Sequence, residues 1–205
     1  MVVFPTLEQE GALWSEGYQF IAGLDEVGRG AWAGPVVTAA VIFPKDVKIP
    51  QGLKDSKQLT PQKRIEFAKL IKEIAVDFAI GLTEIEQINR LGIGKATQLA
   101  FRSALNNLKT KPDFHVIDAF YIEELNRKFQ RPIKNGDELC ATIAAASVIA
   151  KVFRDGLMIK LHQKYPQYGF DVHKGYGTKK HQEAIRKYGF CEIHRKSFDL
   201  DYLLS

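Results

Sequence analysis

The stretch FIAGLDEVGRGAWAGPVVTAAVIF, residues 20–43, decides how the chain folds. Residues 20–27 and 36–43 are apolar and rich in β-branched side chains, and the GRGAWAGP between them is rich in glycine. Short runs of this kind bounded by glycine and proline predict a strand pair. Asp25 and Glu26 interrupt the apolar pattern at the end of the first run, directly before Gly28-Arg29-Gly30. Neighbouring side chains on a regular strand point to opposite faces. For both acids to serve one site, the strand is expected to end or bulge there, which the glycines permit.

Working outward, Thr60 and Pro61 open a helix in which Ile65, Phe67, Ala68, Leu70, Ile71 and Ile74 recur with helical spacing. A third strand is predicted near 76–82. Thr83 and Glu86 have the spacing of a capping box before a helical region that runs through Leu108, with a break at Gly92 to Gly94. FHVID, residues 114–118, reads as a fourth strand, and TIAAASVIAKVFRDGLMIKL, residues 142–161, as the strongest helix. A last helix follows Thr178 and stops near Gly189. Strands alternating with helices predict an α/β fold: a mixed sheet flanked by helices, with a helical C-terminal part. No repeat, low-complexity tract or linker divides it, so residues 1–205 are expected to form one domain whose basic helical portion begins at about 157.

Composition narrows the class. With 45% hydrophobic and 26% charged residues the chain is neither a membrane protein nor a disordered one. Glu8, Glu10 and Glu16 interrupt the start, so no export signal is visible and a cytoplasmic location is expected. Cys140 and Cys191 form no CxxC pair, which argues against disulfides and cysteine zinc sites, and the five histidines show no metal spacing. Lysine and arginine total 29 against 24 acids, a net charge of +5. Basic residues crowd the last third of the chain, which suits a polyanionic partner or, equally, a solvated helix face. No heptad seam points to an oligomer, so a monomer is expected.

Two further acids accompany Asp25 and Glu26. Asp118 closes the apolar run 114–117, and Asp155 lies within the alanine-rich helix. Singly each has an ordinary reading: a strand-terminal aspartate caps a turn, and Asp155 can face solvent beside Arg154. An inward-facing carboxylate, by contrast, is costly unless paired, protonated or metal-bound. Together such acids suit hard cations, Mn²⁺ or Mg²⁺. Two ions about 3.5–4 Å apart would clamp the attacking and leaving oxygens of a phosphodiester.

AGLDEVGRG with AGPVV, LKDSKQLTPQKR, VIDA, IAAASVIAKVFRD, HKGYGTKKH and IHRKSF occur in this order along the chain. In these six segments the sequence resembles ribonuclease HII over nearly its whole length. The resemblance implies a ribonuclease-H-like sheet and an endonuclease with a divalent metal site made by Asp25, Glu26, Asp118 and Asp155. It further implies hydrolysis of the RNA strand of RNA/DNA hybrids and at single ribonucleotides in duplex DNA, leaving 3′-hydroxyl and 5′-phosphate ends, in DNA replication and repair. It makes Gly28, Arg29, Gly30 and Tyr176 the readers of the ribonucleotide junction. Lys57, with Lys174, Lys179, His181, His194 and Arg195, would lie along the substrate backbone. Ala31 and Trp32, Asn135, Cys140, Thr142 and Gly156 depart from the residues frequent in that family. Gly156 should loosen its helix by about 1 kcal/mol relative to alanine.

Three other readings compete. Ribonuclease HIII would bring an extra N-terminal domain, and only about nineteen residues precede the first strand. A non-catalytic hybrid-binding module would not need the acids. A small-molecule α/β enzyme is poorly served by GRGAWAG, which fits neither GxGxxG nor the P-loop.

Overall fold

The computed structural model describes residues 4–204. Residues 20–43 form the predicted pair, β1 (Ile21–Val27) and β2 (Val36–Ile42), antiparallel, with Asp25 opposite Ala39. Every residue of β2 is buried, as a strand covered on both faces requires. Helix α1 (Glu8–Ser15) precedes them, and α2 (Pro61–Ile74) follows with Thr60 Oγ1 accepting the Lys63 N–H as its cap. β3 (Asp77–Thr83) pairs antiparallel with β2.

Helix α3 (Ile85–Asn107) breaks its geometry at Gly92, φ 78° and ψ 160°, inside the predicted interruption. Its start differs from expectation. Thr83 is the last residue of β3, and its hydroxyl donates to the carbonyl of Ala96 instead of capping. β4 (Phe114–Asp118) runs parallel to β1, and a fifth strand, β5 (Gln130–Ile133), parallel to β4. The sheet order is β3-β2-β1-β4-β5. The short turn α4 (Gly136–Leu139) leads into α5 (Ala141–Lys164), which continues through Gly156 without interruption. The one-turn α6 (Phe170–His173) and α7 (Lys179–Tyr188) complete the helical C-terminal part.

Two helices clamp the sheet. On one face Val37, Ala39 and Val41 meet the alanines of α5 and the apolar side of α2; on the other Ala22, Leu24, Ala40 and Ile42 meet Phe101 and Ala104 of α3. Both approaches depend on glycines. A Cβ on Gly23 would lie 2.3 Å from the carbonyl carbon of Thr142, and one on Gly81 would lie 2.1 Å from the Ala100 oxygen. The N-terminus of α5 is capped from afar: Glu10 of α1, fully buried, accepts the Thr142 N–H and hydroxyl, both at 2.8 Å. Among the described residues no helix is long and apolar enough to cross a membrane.

Gly81→Ala tests the packing. Its obstacles are backbone atoms that no rotamer change can move. We expect a loss of at least about 1–3 kcal/mol, the usual cost of overpacking, read from urea unfolding. A loss under half that would mean α3 can retreat from the sheet.

Candidate active site

β1 and β4 are neighbours and parallel, so their carboxyl ends lie side by side, where ligands of open α/β sheets gather. Their pairing stops at Leu24 with Ile117. Asp25 and Asp118 are each the next residue along. β1 does not bulge at the acids: Glu26 and Val27 stay in register with Thr38 and Val37. Instead the edge of β1 beyond Leu24 has lost its β4 partner, and side chains from both faces of the strand flank that open edge. Asp25 and Glu26 therefore reach one cavity of about 360 Å³, with Asp118.

The acid that the fold brings up beside these three is Asp137, although it does not itself line the cavity, and not Asp155. Asn135, in left-handed conformation at φ 56°, turns the chain so that Gly136 N–H donates to Asp118 Oδ1 at 2.7 Å and Asp137 follows beside it. Asp137 is 6% exposed, and its charge acts on both Asp25 and Asp118. Asp155 lies two turns of α5 beyond Ser147, a shift of about 12 Å along the helix. There its carboxylate binds Lys151 Nζ at 2.7 Å and Arg64 at 3.5 Å, and it does not line the cavity. The sequence signal for Asp137 was an aspartate directly after an Asn-Gly turn. Asp155, set in an alanine-rich helix, gives the stronger local signal.

The electrostatics are those of crowded acids in a poorly solvated place. Burial, followed by Glu26, raises the Asp25 carboxyl well above its ordinary value, although a hydrogen bond with Ser147 opposes this. Glu26 is pushed up to about 7 by burial and then by Asp118, against Arg29 and Lys57. Burial also raises Asp118, against the Gly136 N–H bond. Lys57 stands in this field, its Nζ 3.1 Å from Asp137 and 3.9 Å from Asp55. Burial acts to lower its ammonium, but Asp137 and Asp55 win and raise it. The loop that carries it is docked on α5 through Ser56 and Ser147, whose hydroxyls are 2.9 Å apart.

The glycine loop and Tyr176 line the same cavity. Gly28 is required there: its φ is +90°, and a Cβ would fall 2.0 Å from Arg154 Nε. Gly30 has open space around its Cα. Arg29 reaches outward, its guanidinium 4.4 Å from the Phe120 ring centre. Two buried arginines hold the loop from behind. Arg154 donates to the carbonyls of Pro35, Ala33 and Lys174 at 2.9–3.0 Å, and Arg195 to those of Gly34 and Arg29. Arg195, His181 and His194 are at most 1% exposed, which corrects their expected place along the substrate backbone.

Carboxylate-bearing ends of adjacent strands in a five-stranded mixed sheet define a ribonuclease-H-like nuclease. The chain belongs to the ribonuclease HII family, whose model matches residues 22–200. A ribonuclease HII of Clostridioides difficile is 49% identical over 191 residues, 93% of this chain and 73% of that protein. The ribonuclease H2 of Pyrococcus horikoshii OT3 superposes with a TM-score of 0.71 at 30% identity, covering 88% of this chain and 94% of the other. The ribonuclease HII solved in complex with PCNA from Archaeoglobus fulgidus gives 0.76 at 25% identity, covering 90% and 97%. The protein is therefore a ribonuclease H enzyme.

The raised carboxyls make a prediction about the metal-free protein. A carboxylate whose folded pKa lies above its unfolded value costs stability as pH rises through the interval between them. For Glu26 that interval runs from 4.5 to about 7 and corresponds to a ceiling of about 3 kcal/mol. In EDTA, Glu26→Gln should gain stability over the parent at pH 8 and little at pH 4.5, measured by urea unfolding at both. A gain independent of pH would show that Glu26 does not ionise against its surroundings.

Proposed function

We propose that the protein is an endonuclease that hydrolyses the RNA strand of RNA/DNA hybrids and cuts at single ribonucleotides within duplex DNA, leaving 5′-phosphate and 3′-hydroxyl ends. The observation that carries this reading is the convergence of Asp25, Glu26 and Asp118 on one cavity that Gly28–Gly30 and Tyr176 also line. A nucleic-acid strand entering the cavity would meet both the acids and sugar-reading groups. The 2′-hydroxyl separates RNA from DNA, and glycine lets main-chain groups come close to it.

Divalent cations, Mn²⁺ or Mg²⁺, fit this donor set. Among the described residues no group of three or more His, Cys, Asp or Glu side chains already stands in an arrangement that could hold a metal ion. The chemistry of the acids nonetheless asks for one. Glu26 Oε2 is buried with no hydrogen-bond partner, and all the acids offer hard oxygen. Asp25, Glu26, Asp118 and Asp137 would hold the ions, and Asp155 would act one step removed, through Lys151. Bound there, such ions supply a nucleophile at neutral pH and neutralise charge on the attacking and leaving oxygens.

The chain's own residues do the rest. Lys57 and Lys151, both lining the cavity, provide positive charge toward a phosphate. Tyr176 presents a flat ring for the sugar, and the pinned glycine loop holds main-chain donors and acceptors in fixed places. Discrimination against DNA then comes from placement as well as affinity.

The test is cleavage of a duplex with one embedded ribonucleotide, with and without Mg²⁺ or Mn²⁺, by Asp118→Asn, Asp137→Asn and Asp155→Asn. The first two should lose roughly a thousandfold or more in rate, about 4 kcal/mol, and keep duplex binding, while Asp155→Asn stays within about tenfold. The reverse ranking of Asp137 and Asp155 would return the fourth ligand to α5. No metal-dependent cut by the parent would remove the reading altogether.

A further inference from the structure

Behind Tyr176 lies a buried histidine cluster that the cleavage reaction does not use. His173, His181 and His194 are 8%, 0% and 1% exposed. The His173 and His181 rings stack with centroids 4.4 Å apart, and Phe170 meets both edge-on. Trp32 closes the side of His181 at 5.7 Å.

The hydrogen bonds assign a proton to each ring. His173 Nε2 must donate to the Tyr168 carbonyl, leaving Nδ1 to accept the Gly175 N–H at 3.2 Å. His181 Nδ1 must donate to the Tyr176 carbonyl at 3.0 Å, so its Nε2 is an acceptor toward His194 Nε2, 3.1 Å away. His194 then donates from Nε2 and accepts at Nδ1 from the Cys191 N–H at 2.9 Å, in preference to the Cys191 carbonyl at 3.3 Å. Each ring carries one proton and no charge. Burial and the neighbouring rings favour this state, holding His181 at about 3 and His194 at about 4, with burial also lowering His173.

These bonds converge on one short segment. Lys174 and Gly175 have φ of +52° and +84°, conformations that cost a non-glycine residue about 1 kcal/mol or more and relax unless held. The histidines grip the backbone on both sides of Tyr176: its N–H donates to the His173 carbonyl, Gly175 N–H to the His173 ring, and its carbonyl accepts from the His181 ring. We infer that His181, backed by His194 and flanked by His173, is a positioning residue that fixes Tyr176 against the cavity through a single-tautomer hydrogen-bond relay. The inference rests on the proposed ribose-facing role of Tyr176. An apolar core filler would serve packing equally well without the burial of six ring nitrogens.

Isosteric amides separate positioning from packing. Asparagine places its amide where the Nδ1 of histidine lies, and glutamine where Nε2 lies. His181→Asn keeps the donor to Tyr176, whereas His181→Gln loses it. On a duplex with one ribonucleotide we expect His181→Asn to retain the single-turnover rate within about threefold and His181→Gln to lose about tenfold or more, with duplex affinity little changed in either. In a Tyr176→Ala background the two His181 variants should differ by less than about twofold, because the relay then has nothing to place. Equal losses in both variants, or losses that add to Tyr176→Ala, would overturn the inference. Should Tyr176→Ala itself cut normally, the functional reading of Tyr176 fails. ¹⁵N imidazole shifts then decide the relay alone, with Nδ1–H on His181 and Nε2–H on His194 supporting it and any other pattern ending it.

Discussion

The distance between α5 and β1 governs the molecule. At Gly23 the helix backbone lies so close to the strand that a single added carbon would overlap Thr142. With that contact fixed, the helical repeat determines what each turn of α5 meets. Ser147 falls beside Asp25 and the Ser56 loop, Lys151 reaches the cavity one turn on, and Arg154 passes beneath the glycine loop. Thr142 is held in turn by Glu10, so α1 secures the end of the helix that sets the register. The site is thus assembled by one helix read against one strand, with β4 delivering Asp118 from the other side.

Opposed charge requirements meet at the cavity. The acids are close enough and dry enough to resist joint ionisation, which makes the metal-free protein a strained electrostatic arrangement. Behind the glycine loop the arrangement is the inverse, since Arg154 and Arg195 are buried against carbonyl dipoles. Burial, and then Arg154, pulls Arg195 down to about 9. Stability has been given up on both sides for placement, as functional sites commonly require.

The sequence disclosed the parts whose signal is local. The strand pair 20–43, the strand ending at Asp118, the break at Gly92 and the helix containing Ser147 could be read because periodicity and glycine carry them. β5 was missed because four residues containing Pro132 carry no period; proline is tolerated there on an edge strand. Asp155 reads as a ligand in the sequence because an inward acid in an apolar helix can be paired, protonated or metal-bound, and the fold pairs it, with Lys151 and Arg64. Arg64, which completes the pair, comes from a helix ninety residues earlier, and no local reading could supply it. The resemblance sets His181 and His194 along the substrate, and their burial could not be read locally because burial is a property of the assembled fold. Trp32, a departure from the family, proved to be a wall of the histidine cluster, its ring filling the space that Gly177 leaves open.

Arg154 and Arg195 hydrogen-bond the glycine loop only at its carbonyl oxygens. Every residue owns a carbonyl, so these bonds ask for no particular side chain; the space around them does, at Gly28 against Arg154 and at the fully buried Ala31 and Ala33. The main chain is thus held by bonds and its side chains are limited by space, so a substitution in this loop fails by crowding and not by the loss of a partner.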